Sequence, residues 1–295
     1  MRKLVKDAKP AKRGASAAPP KTRADKGVAA REARRIAVLD RATALLVSLA
    51  QSPRPATLNE VANQTRLSKA TAFRILATLT EQGFVEQDAA TSSYRLGIAP
   101  LRLATAVLDG IDVHAVAKPI MRGVCDMLNE TVVLSVRDGD HRINVDAVEC
   151  TNAIGSSRRI GEPRPLHSGG ASRALLAAMP DAEIEAYLKR QRLGRGQGNK
   201  PGYAETLWKD IRKARRTRLV SMVAETSPES HAVATTIAGP DGMPIAALHV
   251  AIPRARFSAG VEARCGQALL RAAGEIAREV VAKRSAAPGT AAVRR

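Results

Sequence analysis

The stretch from Thr57 to Leu79, TLNEVANQTRLSKATAFRILATL, constrains this chain more than any other. Thr57-Leu58-Asn59-Glu60 has the form of a capping box, a threonine N-cap answered by a glutamate three residues on. Leu58, Val61 and Ala62 then recur at helical spacing. Thr65 and Arg66 interrupt that run, and Ser68 is placed to cap a second helix. On that helix Ala72, Ile75, Leu76 and Leu79 form one buried stripe. Ala70, Arg74 and Ala77 fall on the opposite face, flanked by Thr71 and Phe73. A short helix, a tight turn and a helix with a slim, arginine-bearing face is the layout of a helix-turn-helix, whose second helix enters the DNA major groove. An ordinary helical hairpin in a core has the same pattern, so the flanks decide.

Upstream, Ile36, Leu39, Leu46 and Leu49 mark an amphipathic helix over about residues 34–50, ended by Ser52-Pro53-Arg54-Pro55. Downstream, Gly83 sits where a helix takes its C′ glycine. Two strand-like runs, 84–87 and 93–96, then flank a polar loop at 88–92. A hairpin directly after the second helix is the wing of a winged helix. The side chains expected at DNA are Arg66, Ser68, Lys69, Ala70, Thr71, Phe73, Arg74 and Arg95.

Charge supports a polyanionic partner. The 295 residues carry a net charge of +19, which favours nucleic acid first and an anionic membrane second. Residues 1–33 are rich in Lys, Arg, Ala and Pro and nearly lack large apolar side chains, so they are read as a disordered basic tail. Residues 1–35 hold twelve Lys and Arg against three Asp and Glu, a net of +9. Such a tail either solubilises or attracts phosphates without regard to sequence, an attraction lost steeply with salt. No apolar run is long enough to span a bilayer, and the basic N-terminus lacks the apolar core of a signal peptide. Cys125, Cys150 and Cys265 are scattered and form no CxxC pair, which fits a reducing cytoplasm rather than a disulfide framework or a zinc site.

Residues 98–110 are apolar at helical spacing and are read as a capping helix. From 112 a helix runs to 128, with Pro119 expected to kink or break it. Strands at 131–136 and 142–148 flank Asp138-Gly139-Asp140 as a hairpin. Residues 151–166 are loop-like. Gly169-Gly170-Ala171 opens a helix, and further helices are expected at 181–189 and 205–217, around a basic loop at 194–202. A strand at 219–225, a second hairpin (232–238 and 245–252) and a long helix at 258–283 close the unit. Antiparallel hairpins with helices to one side make an α+β domain.

These blocks resemble the IclR family of bacterial transcription regulators. In the first half the resemblance is carried by Leu58-x-Glu60-Val61-Ala62, the run from Leu67 to Leu79, Gly83-Phe84-Val85 and Tyr94-Arg95-Leu96-Gly97. In the second it is carried by Pro165-Leu166-His167, Gly170-Ala171, Glu225 and the 232–251 hairpin. The family has serine where Ala70 stands and proline where Ser68 stands, and its Gly-Lys is Ser172-Arg173 here. The resemblance covers roughly residues 34–283. It implies a winged helix-turn-helix (34–98), a linker helix contributing to dimer contacts (99–111) and a GAF-like antiparallel-sheet sensor domain (112–284), followed by a disordered tail (285–295). It also implies a homodimer able to pair into a tetramer on double-stranded operator DNA, with no cofactor.

Carried over by position, the family's effector pocket falls on Ala153, Gly170, Ala171, Met222, Ala232, His249 and Ala251, with Ser230 adjacent. Gly169-Gly170-Ala171 at a helix start offers free N–H groups and the positive end of a helix dipole to a carboxylate. A tight turn that simply needs glycine accounts for the same residues. Met222, Ala232 and Ala251 are apolar, and His249 is the main polar group. Such a lining suits an effector larger or more apolar than a two- or three-carbon acid, for instance an aromatic acid. The five histidines (His114, His141, His167, His231, His249) form no ligand-spaced pair, so no metal is expected, and His167 is read as serving its turn. There is no G-x-S-x-G, Walker or G-x-G-x-x-G motif. Cys150 and Glu149, adjacent on a strand, point to opposite faces, so no enzyme is expected. The alternative is an architectural DNA-binding protein whose second domain only dimerises.

Overall fold

The computed structural model describes residues 36–150, 159–193, 202–225 and 229–286. The segment 1–33, Ala153, most of the loop expected at 194–202 and residues 287–295 lie outside the described residues. The chain divides into two compact units, one ending at Leu103 and the other beginning at Ala104. Each is taken by itself.

The first unit holds α1 (Ala37–Gln51), α2 (Leu58–Thr65), α3 (Lys69–Glu81), β1 (Val85–Gln87) and β2 (Tyr94–Leu96), and enters α4 (Ala99–Asp109), inside which the division falls. The capping box forms as the sequence implies. The Glu60 N–H donates to Thr57 Oγ1 at 3.3 Å, and the Thr57 N–H donates to Glu60 Oε2 at 2.8 Å. Arg66 adopts a left-handed conformation (φ +57°) and ends α2. At the end of α3 the Gly83 N–H reaches Thr80 O and the Phe84 N–H reaches Leu79 O, both at 2.9 Å, with Gly83 at φ +72°. That pairing is a Schellman stop. The wing pairs Val85 with Leu96 and Gln87 with Tyr94, and Ala56 adds a third bridging segment against Tyr94. Leu45, Leu49, Val61, Ala72, Leu76, Val85 and Tyr94 make the core. The first helix differs from expectation in phase. Leu45 is fully buried, while Ile36 and Leu39 are 61% and 60% exposed, because α1 turns a second apolar stripe outward.

The Thr57 backbone N–H, the Arg54 guanidinium and the Thr57 hydroxyl hold the Glu60 carboxyl down from 4.5 to about 2. A folded value below the unfolded one means that the cap contributes fully above about pH 4.5 and is lost as pH falls toward 2. Carboxyl-detected NMR should find the Glu60 midpoint near 2; a midpoint near 4.5 would show that the box is open in solution.

The second unit holds α5 (Asp112–Leu128), β3 (Val132–Asp138), β4 (His141–Val148), β5 (Pro163–Pro165), α6 (Gly170–Ala177), α7 (Asp181–Arg190), α8 (Tyr203–Thr217), β6 (Val220–Val223), β7 (Ser230–Ala238), β8 (Pro244–Pro253) and α9 (Ala259–Ala286). One antiparallel sheet runs in the order β5-β4-β3-β8-β7-β6. One face packs Val132, Leu134, Val233, Leu248 and Val250 with α5 and α9. The other packs Val220, Ala234 and Ala247 with α6, α7 and α8. The unit is α+β as expected, but helical layers cover both faces of the antiparallel sheet, where the sequence reading expected helices to one side, because both faces are apolar. Two further expectations are corrected. Pro119 does not break α5, because Pro119 and Ala115, whose carbonyl loses its partner, both face solvent. Residues 163–165, expected in a loop, form the edge strand β5, a position where proline's missing N–H does no harm.

Candidate functional site

In the first unit α3 presents Lys69, Ala70, Phe73 and Arg74 to solvent, with Phe73 53% exposed. Ser68 and Thr71 have local work. The Ser68 Oγ accepts the Thr71 N–H at 3.2 Å and meets its hydroxyl at 2.9 Å, so Ser68 is the N-cap of α3. Among the described residues Arg66, Lys69 and Arg74 make no ion pair, whereas Arg95 on the wing pairs with Glu86 at 2.8 Å. Three exposed cations without an ion pair on a helix-turn-helix suit a polyanion. Val38 and Arg41 of α1 join Thr71, Arg74, Ile75 and Thr78 around an open groove of about 340 Å³. Arg41 escaped the sequence reading because its nearness to Arg74 depends on how α1 crosses α3.

In the second unit sheet register does the assembling. Met222 stands opposite Ala232, and Ala232 opposite Ala251. One rung along, Ala234 stands opposite His249, which also faces Val133. Directly opposed residues share a face, so Met222, Ala232, Ala251 and His249 lie on the α6 side, with Ser230 two positions before Ala232. The start of α6 is pressed onto that row. A Cβ on Gly170 would come within 3.1 Å of the Ala232 Cβ, so close packing alone accounts for glycine there. Gly169 has φ +84°, which only glycine adopts readily. Gly170 and Ala171 are buried beside the row.

The N-terminus of α6 is not as open as its sequence implies. The Gly169 N–H donates to Glu225 Oε2 at 3.0 Å. Arg173, 6% exposed, joins that carboxylate to Asp210, bonding each through one Nη, and its Nε reaches His167 O at 3.3 Å. Tyr203 donates to the same carbonyl at 3.0 Å. His167 Nδ1 sits 2.6 Å from the Tyr187 hydroxyl. Burial lowers the pKa of the imidazole and pushes that of the phenol up to about 12, so both are neutral at pH 7 and the bond ties the turn to α7. Sequence reasoning missed Asp210, and also a polar group formed by Ser135, Arg142, Asn144 and Ser172. Polar residues at alternate positions of β4, Arg142 and Asn144, were the available signal.

A winged helix-turn-helix followed by an antiparallel α+β unit defines a class of two-unit helix-turn-helix proteins. The chain belongs to the IclR family: residues 38–89 match the IclR helix-turn-helix domain, and residues 105–278 match the family described as bacterial transcriptional regulator IclR C-terminal. It is similar to the HTH-type transcriptional regulator KipR of Bacillus subtilis (strain 168), 36% identical over 46% of this chain and 54% of that protein. It is also similar to the transcriptional repressor IclR of Escherichia coli (strain K12), 32% identical over 52% of this chain and 57% of that protein. The chain thus spans little more than half the length of these curated relatives. A solved structure from Rhodococcus sp. RHA1, described as a transcriptional regulator, is 26% identical with a TM-score of 0.72, covering 84% of this chain and 100% of that one.

Proposed function

We propose that the chain is a sequence-specific DNA-binding transcriptional regulator, with α3 in the major groove and operator affinity controlled by a small organic acid bound in its second unit. The observation that carries this is that Arg66, Lys69 and Arg74 are exposed and make no ion pair among the described residues, on a helix-turn-helix whose inner stripe is buried. Arg41, beside Arg74, adds a phosphate-facing cation. Arg95, held by Glu86, serves the wing first and the DNA backbone second. Operator binding calls for a homodimer on two half-sites. Its contacts come from outward apolar side chains: Ile36 at the N-cap of α1, Leu39 and Val47 on α1, and Leu101, Leu103 and Val107 on α4. Patches of this kind mark protein contacts.

The pocket is assigned to Gly170, Ala171, Met222, Ser230, Ala232, His249 and Ala251. Its apolar row favours an acid larger or less polar than glyoxylate or pyruvate, an aromatic acid being one such class. Among a panel of acids, a change in DNA affinity with glyoxylate or pyruvate alone would rule that preference out.

The experiment is selection of duplexes from a random library by the full chain, followed by titration of the selected duplex. An inverted repeat is expected, as a dimer requires. Arg74→Ala should weaken that duplex by about 1–3 kcal/mol, the value of one good base contact, with circular dichroism unchanged. Unchanged affinity would remove α3 from the groove. The basic balance of the sequence favours one other reading, an architectural binder. Deleting residues 1–33 separates the two: a regulator keeps its selectivity and loses salt-sensitive affinity, and an architectural binder loses nearly all binding.

A further inference from the structure

Arg142 and Arg173 are both buried, 7% and 6% exposed. Arg173 has two carboxylates. Arg142, among the described residues, has none. Its Nε donates to Ser172 Oγ at 3.1 Å, and its Nη1 donates to Ser135 Oγ at 3.1 Å and to Asn144 Oδ1. These acceptors are neutral, so they satisfy N–H groups without balancing the charge. A buried charge left unbalanced is costly. Both N–H groups of Nη2 remain without an acceptor among the described residues, and that atom is not sealed from solvent.

The neighbours do not supply the missing charge. Register places Arg137 opposite Arg142, and Arg142 opposite Arg164. Arg137 is taken by Glu183 at 3.0 Å and Arg164 by Glu162 at 3.3 Å. One positive charge is left over in this row. Burial and then the charge of Arg164 push the Arg142 pKa down to about 10, against a smaller opposing pull from Glu162, the carboxylate that pairs with Arg164, which leaves it cationic at neutral pH.

The place matters as much as the charge. Ser172 follows Gly170-Ala171 in α6. Ser135 lies two positions along β3 from Val133, the residue opposite His249. Asn144 Nδ2 donates to Arg159 O at 3.4 Å. Arg142 is therefore on the sheet face that carries the assigned pocket. The helix start, by contrast, already holds the Glu225 carboxylate on the Gly169 N–H, and that carboxylate repels a second anion.

We propose that Arg142 is the anion-recognition residue of the sensor unit, taking the carboxylate of a monoanionic organic acid on its Nη2 edge. The proposal rests on reading the second unit as a small-molecule sensor. One surplus charge matches a monoanion better than a dianion or a phosphate, and guanidinium N–H groups bond carboxylate oxygens with strong, charge-assisted geometry. The helix start then packs the acid rather than holding its charge.

The test is calorimetric titration and thermal unfolding of the full chain with benzoate, pyruvate and the neutral isostere benzamide, at constant ionic strength. At least one carboxylate is expected to bind and benzamide is not. Arg142→Gln should weaken the binding carboxylate at least tenfold, and Arg142→Lys should weaken it less. Asn144→Asp places an internal carboxylate beside the guanidinium. It should raise the unfolding temperature of the ligand-free protein and also cost at least tenfold in affinity, which keeps the proposal testable if Arg142→Gln fails to fold. Wild-type affinity in Arg142→Gln or Asn144→Asp overturns the proposal, as does indifference of the wild type to both carboxylates. The selected duplex separates this inference from the reading beneath it. Carboxylate binding that needs Arg142 but leaves DNA affinity unchanged upholds the site and removes the effector role. A carboxylate effect on DNA affinity that survives in Arg142→Gln upholds regulation and overturns the site.

Discussion

Arg173→Ala is expected to lower the stability of the second unit by about 3 kcal/mol, read from urea unfolding followed by tryptophan fluorescence. Removing one partner of a buried ion pair costs roughly 3–5 kcal/mol, because the other charge stays behind unbalanced. Here two charges stay behind, Asp210 and Glu225, drawn together by one guanidinium. Their side chains are about a third exposed, 36% and 31%, so water relieves part of the penalty and the lower end of the range applies. The loss also leaves the His167 carbonyl with Tyr203 as its one donor among the described residues and loosens Glu225, which holds the Gly169 N–H. The start of α6 should therefore exchange its amide hydrogens faster than the core strands β7 and β8. Arg173→Lys keeps the charge without the fork, and a loss of about 1 kcal/mol, the usual size for a single substitution, is expected. An Arg173→Ala protein within about 0.5 kcal/mol of wild type would mean that the pair contributes nothing net.

Gly97→Ala should be the most damaging single methyl in the first unit. A Cβ there would lie 2.3 Å from the Gly83 carbonyl oxygen and 3.0 Å from its carbon. Both are backbone atoms, so no rotamer change relieves the clash. The segment is held by the Gly97 N–H to Phe84 O at 2.9 Å and by the Ala99 N–H to Gly83 O at 3.0 Å. Gly83 is itself the left-handed stop of α3. One or both bonds must break, detaching the wing and the start of α4 from the end of α3. Overpacking costs about 1–3 kcal/mol when side chains can yield, and a clash with backbone sits at or above the top of that range. The expected result is a lower unfolding temperature for the first unit and weakened binding of the selected duplex. Wild-type values in both would show that the turn relaxes without cost.

Residues acting over a single turn were legible in the sequence. Thr57 with Glu60, Ser68 with Thr71, and Gly83 after Glu81 are caps and stops made within a few residues. The stripe of Ala72, Ile75, Leu76 and Leu79 follows from helix geometry alone. Local pattern also placed the hairpins, since Asp138-Gly139-Asp140 and Gly239-Pro240-Asp241-Gly242 interrupt runs of period two. It misled where a pattern had two solutions. The apolar residues of α1 make two stripes, and composition does not say that Leu45 goes inward while Ile36 and Leu39 stay out.

What the sequence by itself determined is therefore the order of the elements other than β5, the caps at Thr57, Ser68 and Gly83, and the helix face that carries Arg74. Tertiary structure alone decided which charges are balanced. Arg173 meets Asp210 and Glu225 across 37 and 52 residues of chain, contacts that no local spacing encodes. Arg142 depends on one irregularity. The β3–β4 ladder slips between Leu134 and Ser135, so that Leu134 faces Asp146 but Ser135 faces Asn144. A one-residue slip exchanges the faces of a strand. Asp146 is thereby left with His114 and Lys118 of α5, while Asn144 and Arg142 turn to the α6 side. Without that slip Arg142 would point at α5 and α9. The physical reason is that alternation tells which residues share a face of a strand, and only the pairing of strands tells which face meets which layer.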